Sequence, residues 1–114
     1  MQEVYAPKKN KWAKIAIMKN VFDLEELTEE SDILDIKEDM RTRAASFGEV
    51  TKVVLYDKEP EGIVIVRFKD WESAQAFQKR INGEVYDERR VEITIAEDRP
   101  KFRKSGRDDD SDVE

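Results

Sequence analysis

The stretch that decides the fold runs from Ser31 to Gly48 and reads SDILDIKEDMRTRAASFG. Its apolar residues recur at intervals of three and four, which predicts an amphipathic helix over residues 31–47. Ser31 suits the N-cap of this helix, Asp32 suits its positive end, and Gly48 suits a left-handed stop. The predicted buried face consists of Ile33, Ile36, Met40, Ala44 and Phe47.

A second stripe on this helix is charged. It comprises Asp35, Asp39 and Arg43, spaced four apart, with Glu38 beside them. Such a stripe is compatible with an ordinary solvated face. The loop before the helix adds to the charge, because nine acids and a single base lie between Asp23 and Asp39. This local field would repel phosphates and attract a basic partner.

The remaining segments alternate in a recognisable order. Branched and aromatic residues predict strands at 14–19, 50–56 and 62–68. A second helix follows Asp70 and closes at Asn82-Gly83, and then come a hairpin at Val85-Tyr86 and a final strand. The order βαββαβ predicts an α+β sandwich with two helices on one face of a four-stranded antiparallel sheet. We expect residues 1–13 to be a flexible lead-in, 14–96 the domain, and 97–114 a charged, largely disordered tail.

Strand alternation assigns side chains to the two faces of this sheet. The face toward the helices is predicted to hold Ile15, Ile17, Val53, Leu55, Val64, Val66 and Phe68. The opposite face is predicted to hold Ala16, Met18, Val54, Tyr56, Ile63 and Ile65. Because that second face is unusually aliphatic, we expect the segment after the last strand to cover it through Phe102. Trp12 is expected to pack at the start of the first strand.

Composition limits the function classes. The 114 residues include 42% charged residues, carry a net charge of −6 and contain neither Cys nor His. Disulfides, thiolate nucleophiles and the common zinc sites are therefore excluded, and we expect no enzyme, no cofactor and no metal site. The chain has no run of eighteen apolar residues, so we expect no membrane span.

The strand order resembles the RNA recognition motif across roughly residues 14–96. That family stacks bases on aromatic side chains of its first and third strands. Here the third-strand octet reads EGIVIVRF over residues 61–68, with Ile63 and Ile65 at the stacking positions, and the first-strand position is assigned to Ala16. Because stacking contributes ~1–3 kcal/mol per base, RNA binding through the sheet should be weak or absent. RNA binding remains the alternative function, through Tyr56 or the tail.

The sequence also resembles a peptide-binding branch of that fold, the U2 auxiliary factor homology motif (UHM). The resemblance rests on the acidic first helix, the aliphatic stacking positions and the aromatic Tyr86 before the last strand. Within this family, the chain most resembles the C-terminal domain of the Tat stimulatory factor and its yeast relative, the cold-sensitive U2 suppressor. The features that carry this resemblance are the acidic loop 20–30, Phe22 and the acidic C-terminus.

The resemblance implies a non-catalytic interaction module of pre-mRNA splicing in the nucleus. Such domains bind segments in which several Lys or Arg precede a Trp. The implied partner is the HEAT-repeat large subunit of splicing factor 3b in the U2 snRNP. The implied role is to assist prespliceosome assembly, and the domain is expected to be a monomer. The implied peptide-binding residues are Asp35, Glu38, Asp39, Arg43, Phe47, Glu84, Val85 and Tyr86.

Two residues depart from the family pattern. Where the family has the loop motif Arg-any-Phe, this chain has Glu84-Val85-Tyr86. Where the family has a third acidic residue on its first helix, this chain has Arg43. Our hypothesis is that Arg43 and Glu84 form the same pair with reversed polarity, so that Arg43 covers the bound Trp. Two alternatives stay open. In the first, the pocket has degenerated and binds peptides weakly or not at all. In the second, residues 8–12 (KKNKW) of one copy dock into the pocket of another copy.

Overall fold

A computed structural model of the chain describes residues 11–98, 100 and 102. The helices are α1 (Glu30–Ala45) and α2 (Trp71–Ile81). The strands are β1 (Ile15–Lys19), β2 (Val50–Tyr56), β3 (Ile63–Phe68), β4 (Val85–Tyr86), β5 (Arg89–Arg90) and β6 (Glu92–Ile95). Short 3-10 turns at Lys11–Lys14 and Leu24–Glu26 precede β1 and α1.

The sheet has four antiparallel strands in the order β2-β3-β1-β6, while β4 and β5 form a separate hairpin. Side chains from α1, α2 and one face of the sheet build the main core. Its aromatic centre is Phe77, whose ring lies 5.5 Å from that of Phe68 and 5.6 Å from that of Phe47, measured between centroids. The predicted α+β fold, with both helices on one face, is confirmed.

The start of α1 differs from the prediction. The helix begins at Glu30, and the Asp32 carboxylate accepts hydrogen bonds from the backbone N–H groups of Glu29 (2.9 Å) and Thr28 (3.0 Å). The Glu29 bond, a 3.0 Å bond donated by the Thr28 hydroxyl and the Thr28 backbone bond together hold the pKa of Asp32 below its ordinary value. Ser31 therefore lies inside the first turn, and the predicted N-cap at Ser31 is wrong because Asp32 reaches back to cap the preceding residues.

The end of α1 also differs from the prediction. The helix stops at Ala45, and Phe47 follows it as a half-buried part of the core. A Cβ atom at Gly48 would collide with the side chain of Ser73 in α2. The close approach of this loop to α2 thus requires glycine at this position. The φ of Gly48 is 159°, far from the ~57° of a left-handed helical residue, so the predicted left-handed stop is wrong.

The alternation predicted for β1 is wrong by one residue. Ala16 and Met18 face the helices, whereas Ile15 and Ile17 face the other side of the sheet. Both sets are apolar, so hydrophobicity alone could not decide which one faces the helices. Pairing with the neighbouring strand decides it, because Ile17 lies opposite Ile65 of β3.

The face of the sheet away from the helices is a second, smaller core. It consists of Ile15, Val54, Tyr56, Ile63, Ile65 and Ala96, with Trp12, Ile17 and Phe102 packed against it. The Phe102 ring lies 5.4 Å from the Tyr56 ring, measured between centroids. The expected cover through Phe102 and the expected packing of Trp12 are both confirmed. The rest of the predicted lead-in and most of the predicted tail lie outside the described residues.

Neither described helix is long and apolar enough to span a membrane. In the same part of the chain, no three carboxylate side chains come together in a way that could hold a metal ion.

Candidate peptide-binding site

The charged stripe of α1 lies beside the β4–β5 hairpin. Asp35, Asp39 and Arg43 are exposed on this helix, while Met40 and Ala44 are fully buried on its other side. The four-residue spacing of the stripe therefore places it at the boundary between the core and solvent. Tyr86 of β4 projects toward this boundary and is packed against the core.

Three side chains form what we call the Tyr86 cluster: Asp39, Arg43 and Tyr86. The Tyr86 hydroxyl donates a hydrogen bond of 2.7 Å to Asp39 Oδ2. The Arg43 guanidinium carbon lies 5.0 Å from the centroid of the Tyr86 ring, a cation–π distance. An aromatic ring, a carboxylate and a cation from two separate elements thus meet at one surface.

The environment of Tyr86 stabilises its neutral form. Burial raises the pKa of the phenol well above its ordinary value of 10.0, and the hydrogen bond and negative charge of Asp39 raise it further. The positive charge of Arg43 acts in the opposite direction. The raised pKa therefore keeps Tyr86 neutral, and able to donate to Asp39, at a pH where an ordinary phenol would ionise.

The expected pair between Arg43 and Glu84 is not formed in this structure. Glu84 Oε2 lies 3.6 Å from Arg80 Nη1 of α2, and Arg43 lies on Tyr86 instead. The cause is local: Arg80 precedes Glu84 by four residues and reaches it across the end of α2. The two reversed charges therefore have separate partners here.

The other predicted site residues differ in their exposure. Phe47 contacts Phe77 edge-on and belongs to the core, whereas Val85 is 57% exposed. Asp35 and Glu38 are exposed, and within residues 11–98 neither forms an ion pair or a side-chain hydrogen bond. Glu38 and Asp35 are thus the acids of the stripe that are available to a basic ligand.

Several of the nine acids before and within α1 have structural roles instead. Asp32 caps the helix, and Asp23 caps the 3-10 turn by accepting from the Glu25 backbone N–H at 3.2 Å. Arg89 of β5 lies 3.1 Å from Glu26 and 3.6 Å from Asp23. Sequence reasoning missed Arg89, whose only signal was its position directly after a two-residue turn.

The surface where this fold would stack bases is occupied by aliphatic side chains. Ile63 and Ile65 of β3 are fully buried. These are the two stacking positions at which the sequence has no aromatic ring. The first-strand position is Ile17 rather than Ala16, because Ala16 faces the helices. Tyr56 is only 5% exposed and lies against Phe102, so its ring is not presented to solvent.

Comparison with known families agrees with this architecture. Residues 36–92 match the family model described as the RNA recognition motif. The chain belongs to the RNA recognition motif family. Membership in this family is consistent with the UHM, since the UHM is a relative of the same fold.

Similar curated proteins carry splicing names. The chain is 42% identical over 117 residues to the splicing factor U2AF-associated protein 2 of Schizosaccharomyces pombe, covering 99% of this chain and 32% of that protein. It is 28% identical over 86 residues to the human 17S U2 SnRNP complex component HTATSF1, covering 75% of this chain and 11% of that protein. The chain thus spans a third or less of these relatives.

A solved structure supports the fold alone. The Caenorhabditis elegans NONO-1 homodimer superimposes with a TM-score of 0.55 at 18% sequence identity, covering 81% of this chain and 32% of that one.

Proposed function

We propose that this RNA recognition motif is a peptide-binding module of the UHM type. It would bind a linear segment in which several Lys or Arg precede a Trp. The observation that carries the proposal is the 2.7 Å hydrogen bond from Tyr86 to Asp39. This bond holds an aromatic ring against the acidic helix, so that one surface offers both an apolar contact and negative charge.

The two parts of the ligand would contribute differently. A Trp side chain buries about 150–250 Å², which corresponds to about 4–6 kcal/mol before ordering costs. It would lie beside Tyr86, with the Arg43 guanidinium against its ring. The basic residues would lie along Asp35 and Glu38, where each exposed ion pair adds only ~0.2–1 kcal/mol. The Trp would therefore supply most of the affinity, and the acids would select the partner.

The sheet gives little support to RNA binding by stacking. Its positions Ile17, Ile63 and Ile65 have no aromatic ring, and Trp12 and Phe102 pack against the same face. The acidic charge around α1 would also repel a phosphate backbone. Family membership nevertheless keeps RNA binding as the second candidate function.

The names of the relatives suggest where such a module would act. They support a role in pre-mRNA splicing in the nucleus, and the relative named as a 17S U2 snRNP component supports a partner within that particle. We propose the HEAT-repeat large subunit of splicing factor 3b as this partner. A monomeric, non-catalytic domain would bind it during prespliceosome assembly. The packing of Trp12 on the sheet of its own chain supports a monomer over docking of residues 8–12 into a second copy.

Titration calorimetry tests this proposal directly. The titrants are a peptide of four Lys or Arg followed by Trp, the same peptide with Trp→Ala, and a single-stranded RNA. We expect heat from the first peptide only, and a loss of binding in Tyr86→Ala. Asp35→Asn with Glu38→Gln should weaken binding mainly at low salt, while Glu72→Gln on α2 is the matched control. Binding of RNA but of neither peptide would overturn the proposal.

A further inference from the structure

The hairpin that carries Tyr86 has an unfavourable turn. β4 and β5 are joined by Asp87 and Glu88, and both have positive backbone angles, with φ of 52° and 69°. A two-residue hairpin loop with this geometry prefers Asn-Gly or Asp-Gly, because glycine adopts positive φ without a steric penalty. Glu88 is therefore strained in a turn whose own residues do not favour it.

Arg89 contacts one acid in this strained turn and two acids in the loop before α1. Its Nη1 atom lies 3.8 Å from Asp87 in the turn, and its Nη2 atom lies 3.1 Å from Glu26 and 3.6 Å from Asp23. The Arg89 side chain is only 22% exposed, whereas its three acidic partners are 41–62% exposed. One guanidinium with several fixed donors can bridge such a group, which a single ammonium would do less well.

The acidic loop is itself fixed to the body of the domain. Val21 and Phe22 at its start are buried in the core, and the Val21 N–H donates to the Gly62 carbonyl at 3.0 Å. Arg89 therefore connects the hairpin to a rigid segment. Within the hairpin, Arg89 lies directly opposite Tyr86, so the two side chains are on the same face.

We propose that Arg89 is a positioning residue that holds the Tyr86 ring in place for ligand binding. This inference rests on the proposed function, since Tyr86 is the aromatic contact of the peptide site. Arg89 acts through the hairpin: it stabilises the strained turn through Asp87 and fixes β5 to the acidic loop through Glu26 and Asp23. Tyr86 then stays within reach of Asp39.

The sign of the effect separates positioning from simple electrostatics. Removing a cation near the acidic surface should strengthen the binding of a basic peptide if charge alone matters. Loss of positioning predicts the opposite. We expect Arg89→Ala to weaken binding of the Lys/Arg–Trp peptide by about fivefold or more. The control Arg41→Ala removes the same charge from an exposed position of α1 and should leave binding unchanged or tighter.

A triple variant and an exchange measurement test the mechanism. Adding Asp87→Asn with Glu88→Gly to Arg89→Ala installs a favoured turn sequence and should recover most of the lost affinity. Amide hydrogen exchange without ligand should show faster exchange in residues 84–91 of Arg89→Ala, with the rest of the sheet unchanged.

The two proposals fail in different ways. Unchanged or tighter binding by Arg89→Ala would overturn the positioning role. Unchanged amide exchange in the hairpin of Arg89→Ala would also overturn it. The same holds if Arg89→Ala lowers the melting temperature and the favoured turn sequence does not restore peptide affinity. If the unsubstituted protein binds no peptide, the proposed function fails, and the exchange measurement still decides whether Arg89 holds the hairpin.

Discussion

At the residue scale, a few polar contacts decide what the acidic helix can bind. Tyr86 donates to Asp39, and Arg43 lies over the same ring. These contacts convert a solvated stripe into a surface with a defined aromatic edge. Each exposed contact is weak alone, so their value lies in fixing geometry more than in stability. In the proposed function, the Tyr86 cluster would therefore serve recognition.

The pKa of Tyr86 reports on its contact with Asp39. Its raised pKa means that the fold favours the neutral phenol, so the stability it contributes is complete below pH 10.0 and is lost as the pH rises through the folded-state pKa. Asp39→Asn removes a negative charge and should lower the Tyr86 pKa part of the way, because burial still raises it. Ultraviolet titration measures this, with Tyr86→Phe to identify the signal. An unchanged pKa in Asp39→Asn would contradict the contact.

The separate partners of Arg43 and Glu84 predict independent behaviour in the unbound protein. Arg43→Ala should cost about 0.5–1 kcal/mol of unfolding free energy through the lost cation–π contact. Glu84→Ala should cost ~0.3–0.5 kcal/mol through the lost pair with Arg80. In urea unfolding of both single variants and the double variant, we expect a coupling within ~0.5 kcal/mol of zero. A larger coupling would favour the direct pair between Arg43 and Glu84 that the sequence predicts.

At the element scale, β3 belongs to the interior on both of its faces. Val64 and Val66 face the helices, while Ile63 and Ile65 face the second core, and all four are fully buried. In a base-stacking domain the second set would be exposed rings. Here Ile63 and Ile65 pack in the second core, so the strand presents no ring to a ligand.

This exchange predicts a large stability effect at Ile65. Ile65→Ala should lower the free energy of unfolding by about 2–5 kcal/mol, because it removes buried methyl groups and leaves a cavity. Thr94→Ala on the exposed part of β6 is the control and should change it by at most ~0.5 kcal/mol. Urea unfolding measures both variants. A loss below ~1 kcal/mol at Ile65 would show that the second core is loosely packed.

At the scale of the whole molecule, the two faces of the sheet have different tasks. One face packs on α1 and α2 and thereby positions the proposed peptide site at the edge of the helical layer. The other is closed by Trp12 and Phe102, which come from opposite ends of the described chain. Trp12 and Phe102 thus cover the side of the sheet on which the family stacks bases, whereas the proposed peptide site lies on the helical side.

Opening the closed face should therefore not create an RNA-binding domain. Phe102→Ala should cost about 1–2 kcal/mol of unfolding free energy, since it deletes a half-buried ring that contacts Tyr56. Fluorescence anisotropy with single-stranded RNA should show no gain in affinity, because Ile17, Ile63 and Ile65 lie beneath and cannot stack. A clear gain in RNA affinity on this substitution would mean that Phe102 blocks a working platform.

The sequence by itself determined the element order, the one-sided helical layer, the aliphatic stacking positions and the cover through Phe102. These follow from periodicity and from the identity of a few residues, which local rules can read. The face of β1 was decided only by pairing with β3, since both of its faces are apolar. The tertiary structure also decided which charges meet, because Asp39 and Tyr86 are 47 residues apart and Arg89 and Glu26 are 63 residues apart. Such contacts depend on how elements pack together, and no local pattern encodes them.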